Sequence, residues 1–319
     1  MPVLLGTKVA AAVLVHYGDI GRSVKAVLGH ARLGVFTEIV VVANDMSPRP
    51  AELADVRCTW LVPDRNLGFG GGCQLGAAAC VADVYVFFNP HVSIDKDAVE
   101  ACVSAFERDD VGIVAPYLYH PGTKDPMVNW KYTYCMRTYS RFVRMPIQVP
   151  SKCAASGISM ASLGLIDNDW ATGAVIFCRA EVVRDVGWDG SFFLTFEDVD
   201  ISLRAKKSGW RVVVVPSAIA YHSGESTREN AISSYYATRN AIWFARRHHS
   251  RMIRAMRTIY LSALLPRIAA ADVLGRRRPT HAKWAAHGIW HGWLMLPVGS
   301  EPLDGEPLVF DRRGIGAST

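Results

Sequence analysis

The chain has 319 residues, of which 50% are hydrophobic and 20% charged. That balance supports a packed core and excludes general disorder. The length allows one large domain or a domain with an appendage. The net charge is +6, and a basic surface suits an anionic lipid, a nucleotide diphosphate or nucleic acid. The seven Cys are scattered without a CxxC pair, which points to buried thiols in a reducing compartment rather than a disulfide framework or zinc ribbon. No stretch reaches the roughly 18 uncharged apolar residues that span a bilayer. The short apolar run after Lys8 reads as a first strand rather than a signal peptide. A cytoplasmic protein is expected.

In chain order, Val9–Val15 reads as a strand and Ile20–Leu33 as a helix. Glu38–Val42 is a second strand, ending at Ala43-Asn44-Asp45, and Thr59–Val62 a third. Asn66–Val81 is a glycine-rich turn and helix. Val84–Phe88 is the next strand and Ala98–Arg108 the next helix. Strands alternating with helices predict an α/β fold with a mainly parallel sheet and right-handed crossovers. Such a sheet binds its ligand at the carboxyl ends of its strands. The candidates are therefore His16-Tyr17, Asn44-Asp45, Pro63-Asp64 and Asn89-Pro90-His91. Pro90 cannot donate to a ladder, so the chain leaves the sheet there and delivers an amide and an imidazole.

Residues 117 to 169 are rich in Tyr, Pro, Met and Ser and read as a long excursion, with an acceptor-facing or oligomer-forming surface. Order returns with a strand at Ala174–Cys178, helices at Ala180–Val186 and Val199–Ser208, and a strand at Arg211–Val215 closed by Pro216. Asn230 to Ala271 is helical in pattern, a basic tail rich in His and Trp follows Gly275, and 301–319 reads as loosely ordered.

Two stretches carry chemistry. "NLGFGGGCQLGAA" (66–78) is a glycine-rich turn before a helix, lacking both the dinucleotide spacing and a Walker lysine. It suits either an anion at the helix N-terminus or a tight helix–strand contact. "FFLTFEDVDISLRAKKSGWRVVVVP" (192–216) places Glu197, Asp198 and Asp200 at the start of a helix. Capping explains acids there. Three mutually repelling acids also suit a cation, or a base that takes a proton from a substrate hydroxyl.

The segment "DWATGAVIFCRAEVVRDVGWDGSFFLTFEDVDISLRAKKSGWRVVVVPSAIAYHSGEST" (169–227) resembles the catalytic half of family-2 glycosyltransferases, in the rhamnosyltransferase-like branch. Upstream, "VLVHYGD", "IVVVAND", "NLGFGGGCQLG" and "FFNPHVSI" follow in that family's order, so the resemblance covers roughly residues 8 to 250. It implies a GT-A fold, a Rossmann-like sheet flanked by helices, and a sugar moved with inversion from a nucleoside-diphosphate donor. The expected catalytic domain is 1–229, with a nucleotide-binding half to about 116. A helical basic C-terminal region is expected over 230–300.

By the same resemblance Asp198 is the catalytic base. Glu197, Asp200, Trp170 and Gly173 lie near the acceptor or sugar, although Trp170 also reads as a core residue. Donor contacts are expected from His16, Tyr17, Asn44, Asp45, Asp64, Asn66, Gly70, Gly71 and Asn89. His91 stands where the family's metal-binding carboxylate is usual, with His222 as a second metal candidate. Imidazoles suit Mn²⁺ better than Mg²⁺, so a divalent cation, Mn²⁺ favoured, is expected unless His91 bonds phosphate directly. Arg228 and Arg239 are candidate phosphate partners. Ala43 replaces the usual base-reading Asp, and Gln74 a usual Asn. Rhamnose or another deoxysugar is the implied donor sugar, and a glycan, a lipid-linked sugar or a small molecule the acceptor. The rival readings are a non-catalytic nucleotide-sugar-binding member and a nucleotidyltransferase, which would want paired carboxylates at 89–91.

Across 246–296, Arg251, Arg254, Arg257 and Arg267 alternate with Met252, Ile253, Met256, Ile259, Tyr260 and Leu264, and Trp284, Trp290 and Trp293 follow. Such a segment suits the interface of an anionic membrane, here the inner face of the plasma membrane. It equally suits packing on the catalytic domain or on a second copy in a homodimer. No nucleic-acid partner is expected.

Overall fold

The computed structural model describes residues 8–119, 134–135, 147–148, 164–223, 231–274 and 281–294. The chain divides into two compact units, one of 1–138, 146–190 and 197–224, the other of 139–145, 191–196 and 225–319.

The first unit is built on a mixed sheet. Its elements are β1 (Ala10–His16), α1 (Ile20–Leu33), β2 (Glu38–Ala43), β3 (Thr59–Leu61), α2 (Gly68–Ala78), β4 (Val84–Phe88), β5 (Val92–Ile94), α3 (Lys96–Ser104) and β6 (Val111–Tyr119). After a small ladder of β7 (Tyr134–Cys135) and β8 (Ile147–Gln148) come β9 (Ile166–Asp167), β10 (Val175–Arg179), α4 (Ala180–Asp185), α5 (Glu197–Lys207) and β11 (Arg211–His222). The strand order is β3-β2-β1-β4-β10-β6-β11-β5, with β9 on β11. β3, β2, β1 and β4 run parallel. β10 then enters antiparallel between β4 and β6, β11 runs parallel to β6, and β5 and β9 pair antiparallel with β11, so the sheet is mixed beyond β4.

β1 is buried along its whole length, as a strand covered on both faces must be. On one face Leu14, Val86, Phe88 and Val213 meet Val27 of α1 and Val99 and Cys102 of α3. On the other Val13, Phe87, Ile113 and Val214 meet Cys73, Val182 and Ile201 from α2, α4 and α5. At Gly76 of α2 a Cβ would lie 2.4 Å from Val13 Cγ1. Glycine is what lets this helix touch the strand. Among the described residues the cysteines 58, 73, 80, 102 and 178 are free thiols.

Two boundaries differ from the sequence reading. β6 reaches Tyr119, so a strand extends into the expected excursion. The rest of that excursion, apart from β7, β8 and residues 164–169, lies outside the described residues, as does 301–319. β11 continues through Pro216 to His222, with its register against β6 shifting between Val215 and Ile219. The irregularity absorbs the missing donor that made Pro216 look like a stop.

The second unit contains α6 (Ala231–His248), α7 (Arg251–Val273) and α8 (His281–Leu294). α8 lies directly on α6: a Cβ on Gly288 would fall 2.2 Å from Thr238 Oγ1. No described helix is long and apolar enough to cross a membrane. The segment 191–196 holds Phe193, Thr195 and Phe196 at φ of 65°, 66° and 73°. Such left-handed non-glycine residues cost about 1–3 kcal/mol each and persist only when the surroundings fix them. Asn240 fixes them, its Nδ2 donating to the carbonyls of Phe192, Leu194 and Thr195 at 2.7, 2.7 and 2.9 Å. Arg239 Nη1 donates to Asn240 Oδ1 at 2.7 Å and to Ser191 O. Phe193 stacks on Tyr236. Asn240→Ala is therefore expected to lower the unfolding free energy by about 2–3 kcal/mol. Urea unfolding checks it, and an unchanged midpoint would show that the clamp contributes nothing.

Candidate active site

Asp198 sits in the first turn of α5, half-buried. Its two oxygens accept separate backbone donors, Oδ2 from Gly173 N at 2.9 Å and Oδ1 from Val199 N at 2.8 Å. Burial pushes its pKa up to about 6 despite those donors, which suits a base working near neutral pH. Glu197 is buried, and desolvation together with the charges of Asp198 and Asp200 holds its carboxyl well above the usual range. It packs on α2, where a Cβ on Gly70 would lie 3.3 Å from Glu197 Cβ. Glu197 therefore holds its proton more tightly than an ordinary glutamic acid. Asp200, 1% exposed, is ion-paired with Arg204 at 2.6 Å. Arg204 also donates to Val186 O and Gly187 O. Asp200 therefore links α5, through Arg204, to the end of α4.

Gly173 is brought to the site, but as the donor that orients Asp198. Trp170 is buried at 4% exposure, and the core reading prevails over the sugar contact. The next residue, Ala174, accepts from Asn89 N at 2.9 Å. Residues 173–174 thus tie the base to the turn that ends β4.

In that turn Asn89 Oδ1 accepts from His91 N, and Ser223 binds His91 O through both its N and Oγ. The His91 and His222 rings lie 6.1 Å apart, so the two expected imidazoles do converge. A group absent from the sequence reading joins them: Arg22 Nη1 lies 2.9 Å from His91 Nδ1. Burial and that guanidinium lower the His91 pKa, so the ring is neutral. Among the described residues no three His, Cys, Asp or Glu side chains converge as metal ligands. The turn offers two imidazoles and a guanidinium, and an ion bound by His91 Nδ1 would have to displace Arg22.

The nucleotide-side candidates split. Tyr17 and Asp64 are exposed near strand ends. His16 is fully buried, bridging Ser23 Oγ at 2.8 Å and Asp45 Oδ2 at 3.0 Å. Asp45 also accepts from Gly18 N and from Ser47 N and Oγ. Together they brace the loops after β1 and β2. Asn44 is buried, its Nδ2 donating to Gly68 O and its Oδ1 accepting from Leu67 N. Asn66 Oδ1 accepts from Gly68 N. Gly70 and Gly71 pack closely on 189–190 and Leu67. The glycine-rich turn thus serves as a packing joint, and the side chains of His16, Asn44 and Asn66 make hydrogen bonds within the protein. Gln74 serves the same joint by accepting from Trp188 N at 2.9 Å. Arg239 is buried and turned to Ser191 and Asn240, not toward a phosphate, and Arg228 lies outside the described residues.

Residues 92–299 match the family model described as Glycosyl transferase family group 2, and residues 17–160 match Glycosyl transferase family 2. The chain is 35% identical over 83 residues to an N-acetylglucosaminyl-diphospho-decaprenol L-rhamnosyltransferase of Mycobacterium tuberculosis, a match covering 25% of this chain and 27% of the relative. Among solved structures it is similar to GalNAc-T7 with UDP, GalNAc and Mn²⁺ (TM-score 0.59, 14% identity, 91% of this chain and 58% of that one). It is also similar to mannosyltransferase PcManGT of Pyrobaculum calidifontis with GDP-Man and Mn²⁺ (TM-score 0.53, 11% identity, 90% and 86%). TarS of S. aureus with UDP-GlcNAc aligns at a TM-score of 0.54 and 11% identity, over 89% and 81% of the two chains. These likenesses show a GT-A glycosyltransferase fold.

Proposed function

Because the chain belongs to glycosyl transferase family group 2, we propose that it is an inverting glycosyltransferase using a nucleoside-diphosphate sugar. The observation that carries this is Asp198, oriented by Gly173 N, with its pKa raised to about 6 beside the Asn89–His91 turn. In a single displacement the acceptor oxygen bonds to the anomeric carbon as the bond to the diphosphate breaks. The hydroxyl proton passes to Asp198, and the nucleoside diphosphate leaves. One base suffices, because the leaving group needs charge stabilisation rather than protonation. A divalent cation like the Mn²⁺ of the solved neighbours would supply part of that stabilisation. Were it held by His91 and His222, imidazole ligands would favour Mn²⁺ over Mg²⁺, with Arg22 displaced from His91 Nδ1. The rhamnosyltransferase relative supports a deoxysugar such as rhamnose, and a lipid-linked acceptor. Nucleoside-diphosphate release from a panel of UDP-, GDP- and dTDP-sugars, with the anomeric configuration of the product read by NMR, tests the reading. Retention of configuration, or no release from any donor with any acceptor class, overturns it.

A membrane-facing acceptor accords with the second unit. α7 exposes Met252, Ile259 and Tyr260, and α8 exposes Trp290, Trp293 and Leu294. Arg254 lies over the Trp293 ring at 4.4 Å, and Arg251 is exposed. Not every basic residue serves this surface: Arg257 is buried and donates to Ala241 O. Exposed aromatics beside arginines suit an anionic interface. The protein is expected to float with anionic vesicles at low salt and to release as ionic strength rises, since screening acts within roughly 10 Å at 0.1 M. No flotation at low salt, with a dimer in solution, would assign the face to a second copy.

A further inference from the structure

We infer that Arg22 is a fixed cation for the donor diphosphate, so that the chain holds its donor without a divalent ion. The inference rests on the function proposed above. The sheet identifies the place. β1 has β2 and β3 on one side and β4 on the other, and parallel sheets bind ligands outside the carboxyl ends of the strands where the order reverses. The carboxyl ends there belong to β1, paired with β4 through Leu14 and Phe88. One side chain bridges that crevice. Arg22 rises in the first turn of α1, just after β1, and its Nη1 reaches His91 Nδ1, just after β4, at 2.9 Å.

The charges around this point favour an anion. Arg22 keeps its charge at all working pH values, and its planar fork matches phosphate oxygens. The nearest described carboxylate is Asp19, which already caps α1 through Arg22 N and holds Arg22 Nε at 3.0 Å. That contact orients the guanidinium with its Nη edge toward the turn. His91 Nδ1 accepts from the guanidinium, so its proton lies on Nε2 and is available to a second phosphate oxygen. The His222 ring lies 6.1 Å from that of His91, and Ser223 holds the turn through His91 O. The Arg22 side chain is 45% exposed, so a ligand can reach it. A bare surface ion pair with Asp19 is the competing account, and by itself would do little.

Titration calorimetry with UDP, GDP and dTDP, each in EDTA and in Mn²⁺, decides between them. At least one diphosphate is expected to bind the wild type in EDTA within about threefold of its Mn²⁺ affinity. Arg22→Ala is expected to lose about tenfold or more in EDTA, the worth of one charged hydrogen-bond partner. Circular dichroism confirms that this exposed-site variant folds. Arg22→Lys, which keeps the charge but not the fork, should fall between. Binding of the wild type only with Mn²⁺, or an Arg22→Ala affinity in EDTA equal to wild type, overturns the inference and leaves the proposed function standing. Failure of all three diphosphates under both conditions overturns the two together.

Discussion

Asp198→Asn should lower turnover at least about 100-fold while leaving donor affinity within about twofold. The substitution keeps the shape of the side chain and one of its two backbone contacts, on the amide oxygen; the NH2 cannot accept from the other N–H, and no carboxylate remains to take a proton. The pH profile gives an independent check. The active form is the carboxylate, and burial raises the pKa to about 6, so turnover should climb about tenfold per pH unit below that value and level off above it. Stability runs the other way. The folded pKa lies above the 3.8 of a free aspartate, so folding favours the protonated form. The cost of ionising Asp198 in place grows from about pH 4 and is complete above about 6. Asp198→Asn carries no such charge and should melt at or above the wild-type temperature at pH 8, the pattern of a site that trades stability for reactivity. Glu197→Gln supplies the contrast. Burial and the neighbouring carboxylates favour the protonated form of Glu197, which the amide mimics, so this variant should retain most of the turnover. Wild-type turnover in Asp198→Asn, or a 100-fold loss in Glu197→Gln instead, would reassign the base.

The proposed base stands out in the sequence because its signal is local. Three acids within four residues, after an aromatic run and before a helical pattern, need no distant partner to be noticed. The apolar runs of β1, β2 and β4 were legible for the same reason, since a strand covered on both faces must be continuously hydrophobic. What pairing decides was not legible. Arg22 and His91 are 69 residues apart, and only the adjacency of β1 and β4 brings them together. Asn44 has the sequence position of a ligand reader, yet its amide is spent on Leu67 and Gly68. Glycines at 70, 71 and 76 read equally as a phosphate cradle or as a packing joint, and the neighbours that decide it come from β1 and β2 and from Asp189, Gly190 and Glu197. Asn240 lay in an apparently ordinary amphipathic helix. Its value depends on a strained loop about 45 residues upstream, and no periodicity records that.

His91→Asp is the sharper probe of what the turn is for. A carboxylate at this position would lie beside the Arg22 guanidinium, now 2.9 Å from the imidazole, and the two would form an ion pair. The fixed positive charge would then be spent inside the protein, and an added negative charge would face the diphosphate. Donor affinity in EDTA should fall about tenfold or more. The same carboxylate gives a hard cation an oxygen ligand, so Mg²⁺ should restore binding in the variant far more than it changes binding in the wild type. His91→Ala separates charge from hydrogen bonding. It leaves Arg22 with its Asp19 partner and adds no second carboxylate, removing only the imidazole, so it should lose a few-fold at most in EDTA and gain nothing from Mg²⁺. The order in EDTA is thus wild type, then His91→Ala, then His91→Asp, and Mg²⁺ should lift only the last. If His91→Ala instead loses more than His91→Asp in EDTA, the imidazole is the main phosphate contact and Arg22 merely positions it. Equal affinities for all three proteins would place the diphosphate elsewhere on the sheet.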